Sequence, residues 1–110
     1  MKVSKELLKG STGALVLTVL SGKSMYGYEL IKELDSRSGG VFSLKEGTLY
    51  PILHAMEAES WVKSHWEDGS GRKRKYYTVT DAGLKQLKHK TEEWRTFSGA
   101  VNAVLGEGGA

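Results

Sequence analysis

Lys45-Glu46-Gly47-Thr48-Leu49-Tyr50-Pro51-Ile52-Leu53 is followed, about twenty residues later, by Gly71-Arg72-Lys73-Arg74-Lys75-Tyr76-Tyr77, and the reading of these two stretches decides the fold. The first has a helical period. Leu49, Ile52, Leu53 and Met56 fall at i, i+3, i+4 and i+7, which commits one face to a core. At about 100° per residue the opposite face carries Gly47, Pro51, His54 and Ala58, with Thr48 and Tyr50 on its flanks. Side chains this small let another surface approach the backbone closely. Ser43-Leu44-Lys45-Glu46 has the spacing of a capping box, so a helix over about 44–59 is expected, with the Ser43 hydroxyl and the Glu46 carboxylate each satisfying an orphan amide. Pro51 lies well past that cap and removes a helical hydrogen bond, at a cost of about 3 kcal/mol. The apolar period nevertheless runs through it. Two forms fit: one kinked helix with the Gly47 carbonyl freed, or one short helix ending at Pro51 and another beginning there.

Beyond Glu59 the period changes to two. Val62, Ser64 and Trp66 point one way while Trp61, Lys63, His65 and Glu67 point the other, which is a strand. Glu67-Asp68-Gly69-Ser70-Gly71 is turn chemistry, and Arg72 to Val79 returns as a second strand with Tyr77 and Val79 on the core side. The hairpin tip therefore carries Arg72 and Lys73, with Arg74 and Lys75 close behind. Four consecutive cations fit an edge strand charged against aggregation. They also fit a phosphate contact, and their placement beside a helix with a bare face favours the second reading.

Working outward, Ser4 precedes a first helix that is apolar nearly all round from Ala14 to Leu20, as in a helix buried on several sides. Ser21-Gly22-Lys23-Ser24 ends it. Tyr26, Leu30 and Leu34 then line one face of a second helix, which Ser38-Gly39-Gly40 closes. Thr80-Asp81 caps a last helix that should run from Asp81 to about Leu105 and stop at Gly106. Along it Leu84, Leu87, Thr91, Trp94, Ser98, Val101 and Leu105 recur at spacings of three and four, a heptad seam. A domain this small cannot bury such a stripe, so a second copy is the economical partner. Thr91 and Ser98 leave space beside the large Trp94 ring. Either Trp94 packs into the partner's first helix, or it lines a pocket at the dimer centre that stacks on a flat apolar ligand.

The fold expected from these elements is mostly α with a β-hairpin. A winged helix-turn-helix occupies 1–79, with its recognition helix about 44–59 and its wing 62–79. A long C-terminal dimerisation helix follows over 80–105, and then a flexible tail over 106–110. In such a domain the hairpin neutralises phosphates while the helix enters the major groove, so Thr48, Tyr50 and His54 are placed to meet base edges.

Composition agrees. A chain of 110 residues with 26% charged and 39% hydrophobic residues suits one small domain, and its net charge of +3 is modestly basic. Cysteine is absent, which excludes disulfides and thiolate metal sites and suits a reducing cytosol. His54, His65 and His89 are too dispersed for a metal site, no cofactor motif is present, and no acid, base and nucleophile converge in the pattern of an enzyme. Lys2 and Lys5 precede the apolar stretch in the manner of a signal peptide, but Glu6 and Lys9 interrupt it and no small-residue cleavage site follows. No run approaches the roughly twenty apolar residues of a membrane span. Gly22-Lys23-Ser24 lacks the upstream glycine of a phosphate-binding loop, since Leu17 stands there.

Glu46 to Leu53, Gly71 to Tyr77, Thr80-Asp81-Ala82-Gly83 and Tyr26-Gly27-Tyr28-Glu29-Leu30 together resemble the signature blocks of the PadR family of transcriptional regulators, and the resemblance spans about Lys5 to Leu105. It implies a homodimeric winged helix-turn-helix protein that binds a pseudo-palindromic operator in double-stranded DNA, usually as a repressor. The single C-terminal helix resembles the family's smaller subfamily. The DNA contacts expected are Lys45, Gly47, Thr48, Tyr50, Pro51 and His54, with Tyr26 from the second helix and Ser70, Arg72, Lys73, Arg74 and Lys75 from the wing. Leu84, Leu87, Trp94, Val101 and Leu105 are expected to join the copies. Multidrug-responsive members of that subfamily hold planar aromatic drugs between tryptophans of the last helices. By that resemblance Leu7, Ala14 and Thr18 would join Thr91, Trp94 and Ser98 around a planar effector, although Thr91 stands where those members can carry an aromatic residue. The alternative function is a winged-helix protein-interaction module without ligand sensing, which would expose apolar anchors on the third helix in place of Gly47, Pro51 and His54.

Overall fold

One apolar cluster gathers side chains from six elements, and it explains how a short chain holds its shape. A computed structural model describes residues 3–106. The order is α1 (Lys5–Gly22), β1 (Met25–Tyr26), α2 (Gly27–Arg37), α3 (Glu46–Ala58), β2 (Val62–Gly69), β3 (Arg72–Val79) and α4 (Asp81–Leu105). Met1, Lys2 and the last four positions of the expected tail lie outside the described residues. The cluster contains Val16, Leu17, Val19 and Leu20 of α1, Leu30 and Leu34 of α2, and Leu49, Leu53 and Met56 of α3. Met25, Val62 and Tyr77 close it from the sheet. Each buried aliphatic side chain contributes about 1.5–3 kcal/mol, so this cluster is the main force joining helices to sheet.

The three strands form one antiparallel sheet in the order β1-β3-β2. The hairpin was legible in the alternation, but β1 was not. Two residues carry no period, and the pairing of Met25 with Tyr77 and of Tyr26 with Tyr76 is a long-range contact. Tyr26 therefore belongs to the sheet and to the N-terminus of α2, not to the helix face on which the spacing placed it. Its backbone N–H donates to Glu29 Oε1 at 3.3 Å, which ties the start of α2 to its own first turn.

The capping box expected at Ser43 is not formed. Lys45 is the N-cap of α3, without a side-chain cap, and the helix begins two residues later than that motif requires. The Ser43 hydroxyl instead donates to the Asp35 carboxylate and to the Gly40 carbonyl. The turn through Gly39 and Gly40, both at positive φ, folds the chain back onto the end of α2 and puts Ser43 out of reach of the α3 amides. α3 continues across Pro51 as one helix, so the division into two short helices is excluded.

Other expectations are met at the level of single groups. Thr80 Oγ1 accepts from Gly83 N at 3.0 Å to cap α4, and Gly106 ends that helix at φ 78°. The hairpin turn is tighter than the expected Glu67 to Gly71: β2 continues through Gly69, which pairs with Arg72, and leaves Ser70 and Gly71, both left-handed, as the two-residue loop that strands of right-handed twist require. Trp66 shares a strand face with the buried Val62 but is itself 64% exposed.

Candidate nucleic-acid interface

α3 presents a bare face because its inner residues are committed elsewhere. Leu49, Leu53 and Met56 are buried, while Lys45, Gly47, Thr48, Pro51 and His54 are all exposed. Pro51 has no N–H to bond the Gly47 carbonyl, and Gly47 lies on the exposed side, where solvent or a ligand can satisfy that oxygen. Tyr50 behaves differently from its neighbours. It is half-buried against the start of α2, where a Cβ on residue 27 would sit 2.3 Å from its hydroxyl oxygen. Burial holds the Tyr50 phenol above its ordinary pKa, and the charge of nearby Glu46 adds to that. Tyr50 thus braces α3 against α2, with its ring 6.2 Å from the His54 ring.

The four wing cations do not act as one group, because successive residues of a strand point to opposite faces. Lys73 and Lys75 share the inner side with Tyr77, which is buried in the core. Lys75 Nζ lies 3.9 Å from Glu57 Oε1 of α3. Arg72 and Arg74 share the outer side with Tyr76. The Arg74 guanidinium lies 4.6 Å from the Tyr26 ring centroid. Arg72 and Lys73 are exposed, and among the described residues neither makes an ion pair. Ser70 is exposed at the tip between the strands.

The outer side carries an aromatic ladder that sequence reasoning missed apart from Tyr26. Tyr26 meets Tyr76 edge-on at 5.4 Å, Tyr28 stacks on Tyr26 at 6.4 Å, and His65 stacks on Tyr76 at 5.9 Å. Lys32 Nζ sits 5.3 Å from the Tyr28 centroid. Cations held over aromatic faces keep their charge while losing side-chain freedom, which suits contacts to phosphate. The alternation of Arg74 and Tyr76 was visible in the sequence. Their meeting with Tyr26 and Tyr28 needed the pairing of β1 with β3.

The expected ligand residues are scattered over α1 and α4. Leu7 and Thr18 are exposed, Ala14, Thr91 and Ser98 are half-buried, and Trp94 is 49% exposed. The hydroxyls of Thr18 and Thr91 donate to carbonyls one turn earlier, Ala14 O and Leu87 O, each at 2.8 Å. A pocket of about 310 Å³ on α4 is lined by Phe97, Ala100, Val101, Val104 and Leu105, not by Trp94. The expected seam also divides. Leu87 packs on the chain's own core, whereas Leu84, Trp94, Val101 and Leu105 remain exposed, joined by Phe97 at 57% and Val104 at 88%. A second groove, of about 1630 Å³, runs between α1 and α3 past Leu8, Leu44, Ile52, Met56 and Trp61.

The family model that matches residues 16–89 is that of the transcriptional regulator PadR-like family. This chain belongs to that family. It is a transcriptional regulator and not an enzyme, and DNA binding is implied by the family. A PadR-like transcriptional regulator of Bacillus cereus is 36% identical, covering 92% of this chain and 97% of its own, with a TM-score of 0.81. A transcriptional regulator of Clostridium thermocellum superposes with a TM-score of 0.85 at 29% identity, over 92% of this chain and 96% of that one. The transcriptional regulator Rv3488 of Mycobacterium tuberculosis is 32% identical over 102 residues, 93% of this chain and 90% of that protein. The PadR-like match and these structures agree with a winged helix carrying a C-terminal helix. Among the described residues no helix is long and apolar enough to cross a membrane.

Proposed function

We propose that this PadR-family chain is a cytoplasmic, homodimeric, sequence-specific repressor that occupies a pseudo-palindromic operator in double-stranded DNA. The observation that carries the reading is the bare face of α3 beside a hairpin whose tip cations, Arg72 and Lys73, are exposed and without ion partners in the described chain. Gly47, Thr48, Pro51 and His54 approach base edges, with Lys45 on the adjoining phosphate. Ser70, Arg72 and Lys73 contact phosphates from the wing tip, and Arg74 does so from its seat on Tyr26. Tyr50 acts mainly as a brace.

Dimerisation is supported by the exposed stripe Trp94, Phe97, Val101, Val104 and Leu105, which is wider than a solvated helix face and has no partner within the described chain. The α1–α3 groove of the second copy is apolar enough to receive it. Two recognition helices then read half-sites about 34 Å apart. Trp94, with Thr91 and Ser98 beside it and Leu7, Ala14 and Thr18 on α1, is the seat we assign to a planar aromatic effector. Such an effector releases DNA to the extent that it binds the DNA-incompetent spacing better.

The test is duplex binding against salt concentration for the parent and for Arg72→Ala/Arg74→Ala. Each lost phosphate contact flattens the log–log slope by about 0.9, so a change of roughly 1 to 2 per protomer is expected. A parent with no duplex affinity at low salt would sink the proposal.

A further inference from the structure

We infer that Glu57 is a positioning residue for DNA reading, which fixes the wing to the recognition helix and withholds Lys75 from the phosphates; the inference rests on the DNA-binding reading above. Glu57 lies in the last turn of α3, next to the C-terminal residue Ala58. A carboxylate there opposes the helix dipole, so its value has to come from what it touches. Both of its oxygens face the wing. Oε2 accepts from Ser64 Oγ of β2 at 2.5 Å, and Oε1 lies 3.9 Å from Lys75 Nζ of β3. One side chain of the recognition helix thereby holds both strands of the hairpin.

The position of that hold along the hairpin gives it leverage. Ser64 pairs with Tyr77, and Lys75 pairs with Trp66, on the next inward-facing rung. Beyond it Glu67, Asp68, Arg72 and Lys73 are all exposed, so the tip is an arm whose angle is set where Glu57 grips it. The backbone link at the base is short: Glu59, Ser60 and Trp61 join α3 to β2, with Ser60 in a left-handed conformation. A small rotation at this junction carries Arg72 and Lys73 away from the phosphates that α3's register requires. Glu57, Ser64 and Lys75 are each only partly exposed, so water and salt screen the grip less than a surface pair. The arrangement separates two effects: the Ser64 bond holds the geometry, and the Lys75 pair lowers the number of cations available to non-specific DNA.

Two variants of the full chain divide these effects. Glu57→Gln keeps an oxygen for Ser64 and releases Lys75. Ser64→Ala removes the tether and leaves Lys75 paired. Binding is measured against salt on a mixed-sequence duplex, and on a duplex selected in vitro from a random pool by the unaltered protein. Glu57→Gln should steepen the salt slope on the mixed duplex by about 0.9 per protomer, the increment of one added phosphate contact. Ser64→Ala should leave that slope in place and lower the selected-to-mixed affinity ratio on the order of tenfold, about what one mismatched base pair does. A parent that selects and binds duplex, with both variants matching it in slope and ratio, overturns the role of Glu57 and leaves the DNA reading standing. A change confined to Tm overturns it equally, since that is the mark of a purely structural group. A parent that binds no duplex overturns the DNA reading itself.

Discussion

Replacing Gly83 with alanine tests whether the docking of α4 on the wing base is as tight as the geometry requires. A Cβ at this position would lie 2.1 Å from the Trp61 carbonyl oxygen, 3.0 Å from its carbon and 2.8 Å from Val79 Cγ2. A carbon normally stops about 3.3 Å from such an oxygen, so α4 has to retreat by roughly 1 Å. The oxygen it meets is the one that anchors the start of the helix. Trp61 O accepts from Thr80 N at 3.0 Å and from Thr80 Oγ1 at 3.1 Å, and the same hydroxyl donates to Ser60 O at 2.6 Å. Overpacking of this kind costs about 1–3 kcal/mol, and each strained hydrogen bond adds about 0.5–1.5 kcal/mol. Alanine returns up to about 1 kcal/mol of helix propensity. The net expectation is a loss of about 2–3 kcal/mol, a fall in Tm of roughly 10–20 °C for a domain of this size. Urea and thermal unfolding followed by circular dichroism, at matched protein concentration, read it directly. Gly99→Ala is the internal control, because a Cβ there meets nothing within 4 Å and propensity alone should stabilise it. Gly83→Ala matching or exceeding the stability of Gly99→Ala would refute the reasoning, since propensity and packing predict opposite signs.

Two further outcomes follow from the site. Gly27→Ala drives a methyl against the Tyr50 hydroxyl, which a flexible ring can evade, so the stability loss should be near the low end, about 1 kcal/mol. The displaced phenol should regain water, and its pKa, held up chiefly by burial, should fall back toward the ordinary tyrosine value in a ¹³C-tyrosine titration. An unmoved titration would mean that Tyr50 is not seated on Gly27. Val104→Asp puts a charge on the most exposed apolar residue of α4 and should convert dimer to monomer in sedimentation velocity, at a cost of several kcal/mol for an unpaired buried carboxylate. Quenching of Trp94 by planar dyes, read in a Trp61→Phe/Trp66→Phe background, should disappear with the dimer. Quenching that survives in the monomer would place the dye elsewhere.

Most of the architecture was legible because it follows local periods. The i, i+3, i+4 spacing of Leu49, Ile52, Leu53 and Met56 marked α3, alternation marked the hairpin, and Thr80 and Gly106 marked both ends of α4. Motifs judged by spacing alone were less reliable. Ser43 and Glu46 had the separation of a capping box, yet the turn through Gly39 and Gly40 directed the Ser43 hydroxyl to α2. The candidate site was half legible. Gly47, Thr48, Pro51 and His54 do share an exposed face, because a helix face is set by sequence order. Tyr50, one residue from that face, was drawn against Gly27 by a partner far away in the chain.

What the amino-acid sequence determined by itself, then, is every element long enough to repeat its own period, together with the blocks that place the chain among the PadR regulators. Only the tertiary structure decided β1, the division of Arg72, Lys73, Arg74 and Lys75 between two faces of the wing, the aromatic seat of Arg74, and the hold of Glu57 on both strands. These depend on which residues meet across a sheet or between a helix and a strand. The sequence separation of such contacts is not encoded in any window, because burial of the shared core selects it when the whole chain folds.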